Sequence, residues 1–178
     1  EEWVLDDWRG LEGMLEGGAW YTYPRYADCS GRYSRQPDYR LDPHRRIYSA
    51  GFRCCLSDRL PPPALQRADA ERRLATSTGS LEVAYDAQAE VEVAPGLWID
   101  KYEYPNRRGE LPLTGVSALQ ATTLCEGAGK RLCEAHEWEL ACGGPERAAL
   151  PYGDRFIHAA CAVEKDSPTP SGHYLGCR

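Results

Sequence analysis

Residues 97–103, Leu97-Trp98-Ile99-Asp100-Lys101-Tyr102-Glu103, form the stretch that decides the fold class. Their apolar, β-branched and aromatic side chains predict a β-strand. The preceding residues 90–93, Glu90-Val91-Glu92-Val93, alternate charged and apolar side chains, as a half-exposed strand does. The second half of the chain is therefore expected to begin with two strands.

Two helices are predicted after these strands. Ser117 is a suitable N-cap for a helix that runs to Cys125 and stops at the glycines that follow it. A second helix is predicted over 135–142, because Gly143-Gly144-Pro145 ends it. The residues beyond these helices are rich in Pro and Gly, which predicts irregular structure.

The first part of the chain, residues 1–58, predicts short strands and long loops, with 15–20 and 47–55 as the best strand candidates. Residues 59–86 are predicted to be a linker, because they contain a proline run and a Ser/Thr/Gly stretch around a short surface helix at 64–75. Residues 87–178 then form the second part of what we expect to be one domain.

Composition excludes several classes of protein. The chain has 178 residues, which is the size of one domain. Its 21 Lys and Arg against 27 Asp and Glu give a net charge of −6, so a dedicated electrostatic nucleic-acid binder is excluded. No apolar run approaches the ~20 residues that a membrane span needs. The 17 Gly and 13 Pro favour a loop-rich fold.

The cysteine content indicates an oxidising compartment. Eight cysteines in a chain of this size favour disulfides and a secreted, periplasmic or cell-surface location. A zinc site is the alternative, but no Cys-x-x-Cys pair exists, and the adjacent Cys54 and Cys55 suit tetrahedral coordination poorly. The sequence starts at Glu1 without Met or an apolar leader, which predicts a mature or excised segment.

Several short motifs together resemble the formylglycine-generating-enzyme, or sulfatase-modifying-factor, family. The N-terminal part of that family is resembled by five motifs in order: Trp98-Ile99-Asp100-Lys101-Tyr102-Glu103, Val116-Ser117, Ala128-Gly129-Lys130-Arg131-Leu132, Glu137-Trp138-Glu139 and Pro151-Tyr152-Gly153-Asp154. Its C-terminal part is resembled by three: Glu2-Trp3-Val4, Gly17-Gly18-Ala19-Trp20 and Gly51-Phe52-Arg53-Cys54. The resemblance implies a C-type-lectin-like fold, which is α+β, loop-rich and here disulfide-stabilised.

The order of the two parts is inverted relative to the family. Residues 1–58 resemble the C-terminal part of the family domain, and residues 87–178 resemble its N-terminal part. The family segment with Gly-x-x-Asp-x-x-Gly-Asn-Val is absent. A circular permutation, a boundary between tandem domains, or two pieces of one domain numbered out of order each explain this arrangement, and the sequence leaves all three open.

The resemblance also implies how the cysteines pair. It pairs Cys54 with Cys125 and Cys29 with Cys142. The remaining cysteines are then assigned as Cys55 with Cys133 and Cys161 with Cys177. We expect both parts of the chain to share one core, in which the following residues are buried: Trp20, Phe52, Ile99, Leu132 and Trp138.

The same resemblance argues against catalysis. Formylglycine-generating enzymes hold copper with two cysteines, and the matching positions here are Thr22 and Ala27. Neither side chain offers the soft thiolate that selects copper(I). The iron-dependent branch of the superfamily uses histidines from an additional helical domain. The four histidines of this chain are scattered and are predicted to be ordinary surface residues: His44, His136, His158 and His173.

Calcium is kept as a candidate cofactor, and no other cofactor is predicted. The family binds calcium through carboxylates and backbone carbonyls, which raises the question for Asp6, Asp7 and Asp154. However, the Gly-Asn-Val stretch is missing, and Ala162 stands where relatives often have Asn. Ordinary loop aspartates at turns are the favoured interpretation.

A ligand-binding groove is predicted at 20–26, which occupies the family's active-site groove. Its aromatic side chains and one arginine would form a recognition surface for a protein or a small ligand, although packing of the loop against the second half is the alternative. The predicted groove residues are Trp20, Tyr21, Tyr23, Arg25 and Tyr26.

Two further groups of residues are interpreted as structural. The acidic residues Glu1, Glu2, Asp6 and Asp7 lie among tryptophans, and we expect a solvated strand end beside core side chains rather than a surface for a cation or a basic partner. Arg131 and the Glu137-Trp138 pair are predicted to belong to the core.

The sequence therefore predicts a non-catalytic extracytoplasmic interaction or structural module of this family. A divergent copper-dependent oxidoreductase that acts on a peptide or thiol substrate is the alternative.

Overall fold

A computed structural model describes residues 2–5, 13–17, 28–29, 45–57, 84–163 and 165–177. The predicted surface helix at 64–75, most of the linker and all five groove residues lie outside these ranges. Within them the chain is a mixed α+β structure with two small sheets, two helices and four disulfides.

The first sheet has three strands, β1 (Glu2–Leu5), β2 (Gly13–Glu16) and β3 (Gly51–Phe52), in the order β2-β1-β3. β1 runs antiparallel to β2 and parallel to β3. Every residue of β1 is buried. A strand end was expected here, but as a solvated one; its burial was not predicted, because a strand that is buried on both faces shows no alternation of apolar and polar residues.

The second sheet has four strands, β4 (Cys54–Ser57), β5 (Glu90–Ala94), β6 (Leu97–Asp100) and β7 (Arg131–Leu132), in the order β5-β6-β4-β7. The strand predicted at 90–93 is confirmed. The strand predicted at 97–103 ends at Asp100, where a loop begins.

The strand predicted at 47–55 is interrupted. Residues 47–50 are not strand, and β3 and β4 belong to different sheets on either side of Arg53. The chain therefore passes from one sheet to the other at Arg53, which places this side chain between them.

Both predicted helices are confirmed, as α1 (Ala118–Gly127) and α2 (Ala135–Gly143). Ser117 caps α1 in a reciprocal capping box. The Gln120 backbone N–H donates to Ser117 Oγ over 3.3 Å, and the Ser117 N–H donates to Gln120 Oε1 over 3.0 Å. Gly144 follows α2 with a φ of 66°, a conformation that glycine adopts without strain.

The largest buried cluster combines both parts of the chain. Trp3 and Phe52 from the first part pack with Tyr104 and Leu132 from the second. Among the residues predicted to be buried, Phe52, Ile99, Leu132 and Trp138 are 0%, 3%, 0% and 6% exposed, which confirms those four. Trp20 lies outside the described residues.

All eight cysteines are in disulfides, with the pairing that was predicted: Cys29–Cys142, Cys54–Cys125, Cys55–Cys133 and Cys161–Cys177. The first three join residues 1–58 to residues 87–178. Such cross-links limit the freedom of the unfolded chain and stabilise a fold with long loops. They also fit an oxidising location.

Beyond Gly143, the described residues form no helix or strand, as the Pro and Gly content predicted. In the part of the chain that the structure covers, no helix is both long enough and apolar enough to cross a membrane.

Candidate binding cleft

The loop that follows β6 positions a carboxylate, Glu103, between the two sheets. The loop is held by Asn106, which is fully buried. Asn106 Oδ1 accepts from the Tyr102 N–H over 3.0 Å, and Asn106 Nδ2 donates to the carbonyls of Asp86 and Ala89 over 2.7 Å each. Because three hydrogen bonds from one side chain fix this loop, the backbone that carries Glu103 has a defined position.

Glu103 lies directly over Gly51 of β3. Its Oε1 occupies the space that a Cβ on Gly51 would need. Gly51 pairs in register with Glu2 of β1, the central strand of the first sheet, so Glu103 approaches the backbone opposite Glu2. The missing side chain at Gly51 is what allows the carboxylate to approach the backbone so closely.

Arg53 forms a two-pronged ion pair with Glu2. Its Nη2 donates to Glu2 Oε1 over 2.7 Å, and its Nε donates to both carboxylate oxygens over 3.0 Å. The two side chains are 17% and 7% exposed. The interpretation of Glu2 as part of a solvated strand end is wrong, because Arg53 compensates its charge inside the protein. Trp3 is a core tryptophan, as expected, whereas Glu1, Asp6, Asp7 and Trp8 lie outside the described residues.

Burial alone would raise the pKa of Glu2, but the charge and hydrogen bonds of Arg53 hold that pKa below its ordinary value. Burial would likewise lower the pKa of Arg53, and the Glu2 carboxylate raises it instead. The indole N–H of Trp138 adds a weaker interaction with Glu2 without reaching hydrogen-bond geometry. Both partners of the pair are therefore charged.

Glu103 differs from Glu2 in its environment. Burial and the nearby negative charge of Glu2 raise the pKa of Glu103 to about 7, although the positive charges of the N-terminus and of Arg53 partly oppose this. Arg53 directs its hydrogen bonds to Glu2. Glu103 therefore has an electrostatic neighbour but no hydrogen-bonded cation among the described residues.

Two adjoining cavities meet at this carboxylate. The smaller has a volume of about 210 Å³, with Glu103 and Arg53 among its lining residues and Trp138, Tyr152 and Phe156 among its aromatic ones. The larger, of about 530 Å³, extends along β5 and β6. Five residues line both: Arg53, Glu103, Ala162, Thr169 and Cys177. We call the two cavities together the cleft.

A second polar cluster is centred on Asp100, which borders the larger cavity. Asp100 is completely buried and accepts hydrogen bonds from the Tyr85 hydroxyl at 2.7 Å, from Lys130 Nζ at 2.7 Å and from the Cys54 N–H at 3.2 Å. Lys130 also pairs with Glu90 at 2.8 Å. Burial would lower the pKa of Lys130, but its two carboxylate partners raise it.

Arg131 and Glu137 form a third cluster. Arg131 Nη1 donates to Glu137 Oε2 over 2.6 Å, and its Nη2 donates to Ser57 Oγ over 2.9 Å. Both residues are buried, together with Trp138. Their predicted position in the core agrees with this geometry.

The chain offers no thiolate for copper. All eight cysteines are bound in disulfides, so none supplies the soft ligand that copper(I) requires. Thr22 and Ala27, which match the copper-binding positions of the resembled family, lie outside the described residues. The residues that are present therefore do not fit a copper centre.

The candidate calcium and histidine ligands are dispersed. Asp154 Oδ1 accepts the Ala149 N–H over 3.0 Å within a turn, as a loop aspartate does. Asp6 and Asp7 lie outside the described ranges. His136, His158 and His173 are exposed, and His44 is not described.

One group of three metal-ligating side chains occurs within the described residues, namely Glu134, His136 and Glu137. The Glu137 carboxylate is already held by Arg131 and by the Glu134 N–H at 2.9 Å, so the cluster is part of the start of α2.

The cleft was not predicted as a site. Glu2, Arg53 and Glu103 each occur in a quoted motif, but they are far apart in sequence, and no local pattern shows that they meet. The signal that was available is indirect: an arginine between two strands and a glutamate at a strand end both need partners when buried.

No protein-family model, curated protein or solved structure matches the chain. The family resemblance therefore depends on the motifs quoted above.

Proposed function

We propose that the chain is a non-catalytic recognition module of the formylglycine-generating-enzyme-like family that works outside the cytoplasm and binds its ligand in the cleft. The observation that carries this proposal is the cleft itself, in which a carboxylate without a hydrogen-bonded cation among the described residues lies at the junction of two cavities. Concave sites with mostly apolar walls and a few convergent polar groups are where small ligands bind.

The disulfide pattern supports binding rather than thiol chemistry. Each cysteine has a partner, so neither a cysteine nucleophile nor a thiolate metal ligand is available in the oxidised protein. The same bonds fix the walls of the cleft, since Cys142 and Cys161 line the smaller cavity and Cys177 lines both. A rigid frame lowers the entropic cost of binding.

The aromatic groove residues predicted at 20–26 remain a proposed extension of this site. Gly17, which precedes the Gly18-Ala19-Trp20 motif, lines the smaller cavity, and its positive φ of 72° places it against the Trp138 ring. A ligand held at Glu103 would therefore lie beside the start of that segment.

Filling the region that the two cavities share tests whether ligands bind in the cleft. Ala162 lines both cavities, so Ala162→Trp fills the region that they share, whereas Ala87→Trp adds the same ring on an exposed turn outside the cleft. A fragment and short-peptide library is screened by NMR against wild type and both variants. We expect binders that Ala162→Trp loses and Ala87→Trp retains. If every compound that binds the wild type also binds Ala162→Trp, the proposal is contradicted.

A separate assay tests the proposal that the chain is not catalytic. The protein is incubated with copper, oxygen and a Cys-x-Pro-x-Arg peptide, and the peptide is examined by mass spectrometry. We expect unchanged peptide. Copper-dependent conversion of the cysteine to an aldehyde, abolished by a chelator, would establish the oxidoreductase alternative.

A further inference from the structure

We infer that the Cys161–Cys177 disulfide is a modification site, at which an external thiol forms a mixed disulfide with Cys177 while the rest of the protein stays folded. This inference goes beyond the proposed binding function and does not depend on it. It follows from the exposure of this disulfide, from the few contacts that hold its loop and from its position beside both cavities.

The four disulfides differ in how far an external thiol can reach them. Five cysteines are at most 3% exposed: Cys29, Cys54, Cys55, Cys125 and Cys133. Cys142 and Cys161 are half-buried, and Cys177 is exposed. Cys161–Cys177 is therefore the one disulfide of this chain that contains an exposed cysteine. Exchange requires contact between a thiolate and a disulfide sulfur, and exposed disulfides are the labile ones.

Few contacts hold the loop that this disulfide closes. Ser171, in the middle of the loop, is fixed at a distance of 2.8 Å in both directions, because its N–H donates to the Glu110 carbonyl and its carbonyl accepts from the Gly109 N–H. Among the described residues, no hydrogen bond joins residues 161–163 to residues 174–177. The disulfide is therefore the connection that holds the two ends of the loop together.

The core disulfides belong to regular elements instead. Cys54 and Cys55 lie in β4, and Cys125 lies in α1. A thiol reaches such sulfurs only when these elements open, which costs much of the free energy of global unfolding. The described residues of the 161–177 loop form no helix or strand, so exchange there needs no element to unfold.

The exchange proceeds in two balanced steps. The thiolate of an external thiol attacks Cys177 Sγ, a new S–S bond forms, and the old bond breaks with its electron pair on Cys161 Sγ, which takes a proton from water. A second external thiolate then attacks the external sulfur of the mixed disulfide and releases Cys177 as a thiolate, which is also protonated. Two external thiols are oxidised to a disulfide, and the protein disulfide is reduced to two thiols.

The position of this site connects it to the cleft. Cys161 lines the smaller cavity and Cys177 lines both cavities. Ala162 and Thr169, which belong to the same loop, also line both. Reduction therefore releases one wall of the cleft from its covalent closure.

Reduction of the folded protein tests the inference. Wild type is incubated with reduced glutathione at mildly alkaline pH without denaturant, free thiols are alkylated, and all eight cysteines are quantified by peptide mass spectrometry. We expect Cys161 and Cys177 to react about tenfold or more faster than the other six, with the early glutathione adduct on Cys177. Cys29–Cys142 is the internal control, because Cys142 lines the same smaller cavity while its partner is buried.

A pair of charge variants tests the sulfur that is attacked. Leu175 is 86% exposed, so Leu175→Lys and Leu175→Glu add opposite charges near Cys177 without changing the packing. Glutathione is an anion, so at low ionic strength we expect the Lys variant to exchange about threefold or more faster than the Glu variant, with the difference reduced by salt. The same substitutions at Ala87, on an exposed turn outside the cleft, are the matched control and should have equal rates.

Each alternative result has a distinct meaning. Equal reduction of all four disulfides, or no reduction until the protein unfolds, would overturn the inference. An early adduct on Cys161, or equal rates for the two Leu175 variants, would overturn the assignment of Cys177. Hydrogen exchange during the reaction should show protected amides in β4 and β6, and their loss would mean general unfolding and overturn the inference. The library screen with Ala162→Trp decides the proposed function independently.

Discussion

Asp100 ends β6 and Glu103 lies in the loop that follows, and although burial raises the pKa of both carboxyl groups, they differ in their hydrogen-bond partners. Asp100 is completely buried and accepts hydrogen bonds from a lysine, a tyrosine and a backbone amide. Glu103 reaches a cavity and has no hydrogen-bonded cation among the described residues. Asp100 therefore has three hydrogen-bond donors, whereas the described residues supply no side-chain donor to Glu103.

This difference separates structural from functional acidic residues in a loop-rich protein. A buried charge costs free energy unless partners compensate it, so a fully partnered carboxylate contributes to the fold itself. A carboxylate that remains partly uncompensated beside a cavity stabilises the fold less and can gain by binding a cation. The contrast predicts opposite effects on stability when each residue is neutralised.

The largest effect is expected at Asp100. Asp100→Ala leaves Lys130 buried without its closest carboxylate, and loss of one member of a buried pair costs roughly 3–5 kcal/mol of unfolding free energy. Urea unfolding at neutral pH measures this loss. The double variant Asp100→Ala with Lys130→Met serves as the control, because it removes both charges and is expected to recover part of the stability. A loss below about 1 kcal/mol, the range of exposed ion pairs, would contradict the contrast.

Removal of single disulfides should affect the core and the region beside the cleft to different degrees. Removal of Cys161–Cys177, which closes 16 residues beside the cleft, is expected to cost about 3 kcal/mol in the chain-entropy description. Removal of Cys54–Cys125, with a sequence separation of 71 in the core, is expected to cost about 4 kcal/mol. Hydrogen exchange checks the location. The first double Cys→Ser variant should expose amides of 161–177 while β4 and β6 stay protected, and equal exposure of both regions would refute that separation.

Neutralising Glu103 should stabilise the protein, and the effect should depend on pH. Its pKa in the folded protein is about 7, above the value of 4.5 for an ordinary glutamate, because burial and Glu2 disfavour the charged form while the N-terminal charge and Arg53 only partly compensate. The folded state therefore holds this proton more tightly, and its contribution to stability is complete below pH 4.5 and is lost as the pH rises to about 7.

Glu103→Gln removes the loss of stability that accompanies ionisation of Glu103. We expect the variant to be more stable than wild type by up to about 3 kcal/mol at pH 8 and equal to it near pH 4. Unfolding free energies of wild type, Glu103→Gln and the exposed control Glu126→Gln are compared across that range. A difference between Glu103→Gln and wild type that does not change with pH would show that the carboxylate titrates normally.

The helices, strand β5 and the disulfide pairs could be predicted because the sequence patterns that indicate them are short and local. Ser117 caps α1, Gly143 and Gly144 end α2, and the alternation of 90–93 produces β5. The family resemblance supplied the disulfide pairs. These features depend on a few neighbouring residues or on motifs, which a single sequence contains.

The cleft was not predictable for the opposite reason. β1 was expected to end in solvent, whereas it is buried on both faces. The strand expected at 47–55 is interrupted at Arg53, which pairs with Glu2. Whether a glutamate is compensated depends on which arginine reaches it through space. Sequence alone gives the charges at Glu2, Arg53 and Glu103 but not their partners.

The smallest effect on stability, and the most direct test of the Glu103 geometry, is expected at Gly51. A Cβ at this position would meet Glu103 Oε1, which lies at the end of a flexible side chain and can move aside. Gly51→Ala also restricts the unfolded chain, a stabilising contribution of about 0.4–1 kcal/mol. The two effects oppose each other, so the single substitution should change the unfolding free energy by less than about 1 kcal/mol.

The coupling between the two residues is the informative quantity. In a Glu103→Ala background the contact disappears and Gly51→Ala should stabilise the protein, which gives a coupling of about 1 kcal/mol in a double-mutant cycle. Gly127→Ala is the matched control, because a Cβ there meets nothing within 4 Å and its effect should be the same in both backgrounds. A coupling near zero would mean that Glu103 does not depend on Gly51 for its position, and that the close approach of its carboxylate to the backbone is not what fixes it.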